Sequence, residues 1–174
     1  MTLLETERLM VRNFRITDWE ALHETIIQYV ASGLAAYEPN QWPTTPEGIK
    51  KATEWFASGD EYFAVCLKDV NRYIGFVCLN KQPKEGEFNI GYVFNFNYHG
   101  KGYATEACQA LLNHVFNQLQ AKKIVTGTPS ANTASVRLLE RLGFKTIPGS
   151  PPGSYELSRD EWKTKKAEKK QINM

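Results

Sequence analysis

The 174-residue sequence predicts a single α/β domain with a mixed, mostly antiparallel sheet, a central βαβ crossover and helices on both faces. Three observations predict this class. Segments that alternate between apolar and polar residues, as strands do, are interspersed with segments of helical periodicity. A hairpin pattern lies near the middle of the chain. A strand pattern, a glycine-rich turn and a helix pattern then follow one another directly, which is the order found in a crossover unit.

The first part of the sequence predicts one strand, two helices and a loop. Residues 8–14 alternate between apolar and polar side chains, which favours a strand. Residues 18–31 begin with an acidic N-cap and continue as a helix. Residues 32–46 are rich in small residues, proline and aromatics and are expected to form a loop. Pro46 suits the first position of a second helix that ends near residue 58.

The middle of the sequence predicts three strands and a long helix. Apolar runs at 61–68 and 73–81 are separated by a short polar segment, which indicates a hairpin. A Lys-Glu-Gly turn leads to a third antiparallel strand at 87–96. From Gly102 a helix is expected to run to about residue 120, because apolar residues recur on one of its faces. These residues are Ala104, Cys108, Leu111, Leu112, Val115 and Leu119.

The last part of the sequence predicts a strand, a short helix and two closing strands. Residues 122–129 form an apolar strand pattern, and residues 132–142 form a helix that Gly143 ends. Residues 144–148 and 153–157 flank a loop of proline and glycine and are expected to close the sheet. We expect the domain to span residues 1–158.

The remaining residues, 159–174, form a basic tail that is predicted to be helical. The net charge is only +2, and the basic character lies in this tail. A short lysine run is usually a solvated helix face, so nucleic acid is not indicated as a partner. A nucleic-acid-binding or ribosome-binding module remains an alternative that only this tail favours.

Three cysteines, Cys66, Cys78 and Cys108, are scattered through apolar surroundings. Their odd number and spacing predict reduced thiols and neither a disulfide framework nor a zinc site. No apolar run approaches the roughly 20 residues of a membrane span, and the start of the chain lacks the pattern of a secretory signal. We therefore expect a cytoplasmic protein that uses no metal and no membrane.

Gly100 and Gly102 lie one residue apart in a turn that opens directly into a helix pattern. Glycine lets a ligand approach the backbone without meeting a Cβ atom. A helix that begins there directs unpaired N–H groups and the positive end of its dipole at that ligand. The turn therefore predicts a binding site for an anion, most plausibly a phosphate.

Several segments resemble one family. The turn at 97–107, NYHGKGYATEA, resembles the acetyl-coenzyme A signature (Q/R)-x-x-G-x-(G/A) of the GNAT acyltransferases. Further segments resemble the RimJ/RimL-type N-acetyltransferases in the same order along the chain: ETERLMVRNF, NIGYVF, NTASVRLLERLGF and YELSRDEW. The resemblance covers nearly the whole chain. It departs at Asn97, which occupies the Gln/Arg position, and at Asn89, where an acidic residue is often found.

The resemblance implies a GNAT-like fold and an acetyl-CoA-dependent N-acetyltransferase. Acetyl would pass to a primary amine on a protein N-terminus, a peptide or a small molecule, by direct attack of the amine on the thioester. Acetyl-CoA would be the co-substrate, and the protein would be a monomer or a homodimer. The residues implied to contact acetyl-CoA are Val93, Phe94, Asn95, His99, Gly100, Lys101, Gly102, Tyr103, Ala104, Thr105 and Asn132.

The resemblance also implies catalytic roles. Asn132 would bind the pantetheine arm, and Ser135 would donate a hydrogen bond to the departing thiolate. Many relatives carry a tyrosine acid where this chain has Leu139. Because Asn89 cannot accept a proton, Glu87, two residues earlier on the same strand face, is the candidate base and would act through water.

Ordinary structural roles compete with these assignments. Asn132 could simply cap a helix, and Glu87 could be a solvent-facing residue after a turn. Asn89 and Leu139 also permit a catalytically drifted acyl-CoA-binding sensor or scaffold. The acceptor is not specified by the sequence, although Glu38 is an acid in the 32–46 loop that could meet an ammonium group.

Overall fold

Eight strands and five helices form in residues 2–172, the part of the chain that this computed structural model describes, with side-chain surroundings described for residues 4–168. The strands are β1 (Thr2–Glu5), β2 (Leu9–Asn13), β3 (Tyr62–Leu67), β4 (Arg72–Lys81), β5 (Glu87–Phe94), β6 (Lys123–Gly127), β7 (Lys145–Thr146) and β8 (Ser154–Ser158). The helices are α1 (Trp19–Ala31), α2 (Pro46–Ser58), α3 (Tyr103–Asn117), α4 (Thr133–Leu142) and α5 (Arg159–Ile172).

The sheet has the order β1-β2-β3-β4-β5-β6-β8-β7. Neighbours pair antiparallel from β1 to β4 and from β6 to β7, whereas β5 and β6 pair parallel. The connection from β5 through α3 to β6 is therefore the predicted crossover. The predicted class, an α/β domain with a mixed and mostly antiparallel sheet, is confirmed.

Several elements differ from the sequence prediction, and three of these differences are described here. Strand β1 was not predicted, because four residues are too few to show a period, yet Leu4 pairs with Val11 and Glu5 with Met10. Strand β5 ends at Phe94 instead of residue 96. Helix α3 ends at Asn117, so Leu119 lies beyond it and is 41% exposed instead of packing on the apolar face.

The residues cluster into two compact units. The first comprises the chain up to Leu79 together with Gly91–Leu111, and the second comprises Asn80–Ile90 and the chain from Leu112 onward. The core of the first unit is aromatic, with ring centroids of Phe14 and Phe56 5.1 Å apart. Other buried members of this core are Leu22, Ile26, Ile49, Ala64, Cys66, Tyr73, Phe76 and Val93.

The second unit contains the start of β5, the strands β6 to β8 and the helices α4 and α5. The ring of Trp162 stacks on Phe116 with centroids 6.0 Å apart, and Trp162 is only 3% exposed. The guanidinium Nε of Arg159 donates to the carbonyl of Ala121 over 2.7 Å. The first turn of α5 is thus fixed to this unit. The domain boundary at residue 158 stays a prediction, and tail residues 173 and 174 lie outside the described residues.

Two further sequence predictions concern thiols and membranes. Cys66, Cys78 and Cys108 are free and buried. Among the described residues, no helix combines the length and apolar character that crossing a bilayer requires.

A buried ion pair joins β2 to the segment before α1. Both guanidinium Nη atoms of Arg12 donate to the carboxylate of Asp18 over 2.8 Å, and the two residues are 4% and 8% exposed. Asp18 also accepts from the backbone N–H of Arg15 over 2.7 Å. The hydrogen bond from Arg12 to Asp18 raises the pKa of Arg12 above its ordinary value, although burial acts to lower it.

We expect Asp18→Asn to lower the free energy of unfolding by about 3–5 kcal/mol, because it leaves the buried Arg12 charge without a counter-ion. Urea unfolding at pH 7 measures this loss. The matched control is Glu5→Gln, which removes an exposed pair with Lys68 and should cost less than about 1 kcal/mol. Equal losses in the two variants would contradict the assignment.

Candidate active site

The turn after β5 is fixed to the sheet by Asn95. This residue is 5% exposed, and its backbone N–H donates to the carbonyl of Ile74 on β4 over 2.9 Å. Its side-chain oxygen accepts from the N–H of Asn97, and its carbonyl accepts from the N–H of Tyr98, each over 3.0 Å. These bonds fold the segment after Asn95 into a single 3₁₀ turn, so strand β5 ends at Phe94.

Two glycines then direct the chain into α3. Gly100 and Gly102 have φ angles of +73° and +79°, a left-handed conformation that favours glycine. The first helical bond runs from the N–H of Glu106 to the carbonyl of Gly102. Within the described part of the chain, the backbone N–H groups of Gly100–Ala104 have no acceptor. They form a set of donors at the positive end of α3, which suits an anion.

Two cations lie beside these donors. The Nζ atom of Lys101 donates to the carbonyl of Asn97 over 3.2 Å and lies 5.4 Å from the ring centroid of Tyr98. The guanidinium of Arg8 lies 4.6 Å from the ring centroid of Tyr103 and donates to the carbonyl of Lys101 over 3.0 Å. The charge of Lys101 strengthens the attraction of an anion to the turn, whereas the charge of Arg8 is paired with Glu106.

Glu106, in the first turn of α3, holds Arg8 in place. Its carboxylate accepts from Arg8 Nε over 2.7 Å, from the Arg8 backbone N–H over 3.0 Å and from Thr6 Oγ1 over 2.5 Å. Burial acts to raise the pKa of Glu106, but the hydrogen bonds from Thr6 and Arg8 outweigh it and lower the pKa. Sequence reasoning placed Arg8 only on a strand and missed this contact, since no local pattern links residues so far apart.

His99 is exposed, and its Nε2 atom lies 2.9 Å from the carbonyl of Phe94. Because a carbonyl only accepts, Nε2 carries the proton and donates. The ring also packs against Phe96, with centroids 4.5 Å apart. The imidazole therefore supports the turn, and its contact with a phosphate stays a prediction.

The end of β5 is tightly packed on β4. A Cβ atom at Gly75 would lie 2.6 Å from the carbonyl oxygen of Val93, so the backbones touch there. Val93 and Phe94 are buried, but the alternation along β5 changes phase at Gly91 and Tyr92, which are both half-buried. Such a change of phase is typical of a β-bulge.

The second unit contains Asn132 and Ser135 on α4. The side-chain oxygen of Asn132 accepts from the Ser135 N–H over 3.1 Å, so Asn132 is the N-cap of α4. This cap uses only the oxygen and leaves the amide nitrogen as a donor. Ser135 is 8% exposed, and Leu139, where many relatives have a tyrosine, is fully buried.

Glu87 begins β5 and forms an ion pair with Lys84 over 2.7 Å. Its side chain is 15% exposed, so Glu87 is not simply a solvent-facing residue. Asn89 lies further along β5 and its side-chain nitrogen is 3.3 Å from the carbonyl of Val125 on β6. Neither contact tests whether Glu87 accepts a proton.

The predicted contact residues thus fall into two sets. The first unit brings together Val93–Asn95 and His99–Thr105 at the turn between β5 and α3. The second unit holds Glu87 on β5 and Asn132 with Ser135 on α4. Within residues 2–172, no three His, Cys, Asp or Glu side chains meet in a way that could hold a metal ion.

Known proteins resemble this chain in sequence and in fold. A family model described as the acetyltransferase (GNAT) domain matches residues 8–145. The chain is 32% identical over 149 residues to YnaD, an uncharacterized N-acetyltransferase of Bacillus subtilis, and the match covers 82% of each protein.

Two solved structures are similar as well. An acetyltransferase of the GNAT family from Bacillus anthracis has a TM-score of 0.79 at 29% identity, covering 92% of this chain and 99% of that one. The ribosomal-protein-S5-alanine acetyltransferase from Vibrio fischeri has a TM-score of 0.70 at 22% identity, covering 91% and 97%. The second likeness concerns the fold alone.

We expect Glu106→Gln to lower the free energy of unfolding by about 1–2 kcal/mol at pH 7, because Thr6 and Arg8 lose a charged acceptor. The folded pKa lies below the unfolded one, so this contribution is complete above the unfolded pKa and is lost as the pH falls through the folded pKa. Urea unfolding should show the difference from wild type shrinking below about pH 4. Glu54→Gln, an exposed change on α2, is the control and should have little effect. A difference that does not depend on pH would contradict this role.

Proposed function

Because the chain belongs to the GNAT family and is an acetyltransferase, we propose that it uses acetyl-CoA and transfers the acetyl group to a primary amine. The proposed reaction is direct attack of the amine on the thioester, and the proposed acceptor is a protein N-terminus, a peptide or a small amine. We further propose the RimJ/RimL type, which the motifs along the chain and the fold likeness to a ribosomal-protein acetyltransferase support. Free buried thiols support a cytoplasmic location.

The observation that carries this proposal is the set of N–H groups at Gly100–Ala104, which have no acceptor in the part of the chain that the structure describes. A pyrophosphate offers several anionic oxygens, and these donors, with the Lys101 ammonium beside them, fit that charge and number of acceptors. A Cβ atom at Gly100 would meet nothing within 4 Å, so the space in front of the turn is open to a ligand. The residues present therefore fit coenzyme A.

Bound acetyl-CoA would supply an acyl group activated as a thioester. The backbone at Val93 or Phe94 is proposed to donate to the thioester oxygen, which the change of phase in β5 supports. The amide nitrogen of Asn132 is proposed to donate to the pantetheine arm, and Ser135 Oγ to the sulfur. Glu87 is proposed to accept the proton of the amine through water.

Gly100→Asn should weaken binding of coenzyme A by about tenfold, because its side chain enters the open space in front of the N–H groups. Asparagine tolerates the left-handed conformation better than other side chains, so the fold should persist. Isothermal titration calorimetry measures the affinity. Gly149→Asn is the matched control, since Gly149 has φ of +76° and also nothing within 4 Å of its Cβ position. Unchanged affinity in the folded Gly100 variant would exclude this turn as the phosphate site. Gly102 is a less suitable position for this substitution, because a Cβ atom there would lie 3.4 Å from Arg8 Nη2 and could disturb that side chain.

Ser135→Ala should lower the turnover number by about tenfold or more and leave the affinity for coenzyme A almost unchanged. A hydrogen bond to the sulfur stabilises the transition state more than the bound ground state. The cap of α4 is retained, because it uses the backbone N–H of residue 135. Steady-state kinetics and calorimetry separate the two effects, with the exposed Ser58→Ala as control. Equal losses in turnover and affinity would indicate a binding role only.

A further inference from the structure

Among the described residues, the buried or half-buried carboxylates are those of Asp18, Glu38, Glu87, Glu106, Glu156 and Glu161. One of them, Glu38, differs from the others in its partners. All of them except Glu38 have a Lys or Arg nitrogen at 2.6–2.8 Å. Within the described residues, Glu38 has no ion pair. Removing a carboxylate from water without a cation is costly, so an unpaired one indicates a site for a cationic ligand.

Two neutral donors orient the carboxylate of Glu38. Tyr29 on α1 donates its hydroxyl to Oε1 over 2.7 Å, and Trp42 donates its indole Nε1 to Oε2 over 2.6 Å. Each oxygen keeps a further lone pair for another donor. Burial, followed by the bond to Glu38 and its charge, raises the pKa of Tyr29 well above the ordinary value. Tyr29 therefore remains a neutral phenol and does not cancel the charge.

Trp42, which donates to this carboxylate, is part of a cluster of aromatic rings. Trp42 packs on Phe76 with centroids 5.7 Å apart, and Tyr62 stacks on Phe56 at 4.1 Å. Burial, then the neighbouring Cys78, Glu61 and Glu38, raise the pKa of Tyr62 to about 12, so this ring also stays neutral. Trp42 and Tyr62 are half-buried, and aromatic faces attract organic cations.

Helix α1 links this group to the turn after β5, and all of these residues belong to the first unit. Gln28, next to Tyr29 in sequence, accepts the backbone N–H of Phe96 through Oε1 over 2.8 Å. One turn earlier, Glu24 Oε1 lies 3.3 Å from the side-chain nitrogen of Asn97. The helix that orients Glu38 is therefore bonded directly to the turn that leads into Gly100.

We propose that Glu38, held by Tyr29 and Trp42, binds the ammonium group of the acceptor amine. This inference rests on the proposed function and names its substrate class. The acceptor is an aliphatic amine that is protonated in solution, with apolar carbon atoms next to the nitrogen that pack on the aromatic rings. Weakly basic aromatic amines, which are neutral at pH 7, lack the charge that this site selects.

The indole N–H of Trp42 reports directly on Glu38, because it donates to that carboxylate. The chain has four tryptophans, so ¹⁵N labelling of tryptophan gives few indole signals, and Trp42→Phe identifies the one of Trp42. We would titrate the labelled protein with 2-phenylethylamine and with 2-phenylethanol, a neutral compound of the same shape. The amine should shift the Trp42 signal saturably, and the alcohol should bind about tenfold more weakly.

Glu38→Gln keeps the size and one acceptor oxygen of the side chain but removes the charge. It should weaken binding of the amine by about tenfold and leave the affinity for coenzyme A, measured by calorimetry, within about twofold. Glu38→Asp retains the charge, so this variant, provided that it folds, should retain part of the affinity for the amine. The control is Glu54→Gln, which should bind the amine like wild type.

Three results would overturn the inference: no saturable shift of the Trp42 signal with the amine, equal binding of amine and alcohol, or wild-type affinity in Glu38→Gln. A wild-type protein that binds the amine but not coenzyme A would instead overturn the proposed function and retain the ammonium site. Kinetics add a further readout, since Glu38→Gln should raise KM for the amine more than it lowers kcat.

Discussion

The backbone donors left unpaired at the start of α3 are the constraint on which the candidate site depends. A helix cannot satisfy its first N–H groups internally, and here two left-handed glycines lead into it while the N–H groups of Gly100–Ala104 have no acceptor among the described residues. Because Asn95 ends β5 with three hydrogen bonds, the strand and the helix meet across a short and rigid turn. The proposed anion site thus relies mainly on backbone donors and not on a charged side chain.

Two charged side chains beside this turn, those of Arg8 and Glu106, are paired with each other. Glu106 would repel an anion if it were free, but Arg8 and Thr6 hold its carboxylate and the Arg8 guanidinium stacks on Tyr103. The same guanidinium also fixes the carbonyl of Lys101. An ion pair between residues near the start of the chain and the first turn of α3 therefore stabilises the turn and neutralises the carboxylate beside it.

Asn89 and Leu139 are the two positions at which this chain departs from the catalytic residues of the family pattern. The side-chain nitrogen of Asn89 donates to the Val125 carbonyl on β6, and Leu139 is part of the buried side of α4. The proposed ammonium site relies on Glu38, whose carboxylate is oriented by two neutral donors and has no cation among the described residues.

The sequence by itself determined the order of the elements, the crossover and the glycine turn, because periodicity and glycine conformation are local properties. It also placed Asn132 at the start of α4. Only the tertiary structure decided that Arg8 holds Glu106, that Glu38 has no counter-ion among the described residues, and that the short strand β1 pairs with β2. Such contacts join residues that are distant in the chain or too few to show a period, and no local pattern encodes which charged groups folding will bring together.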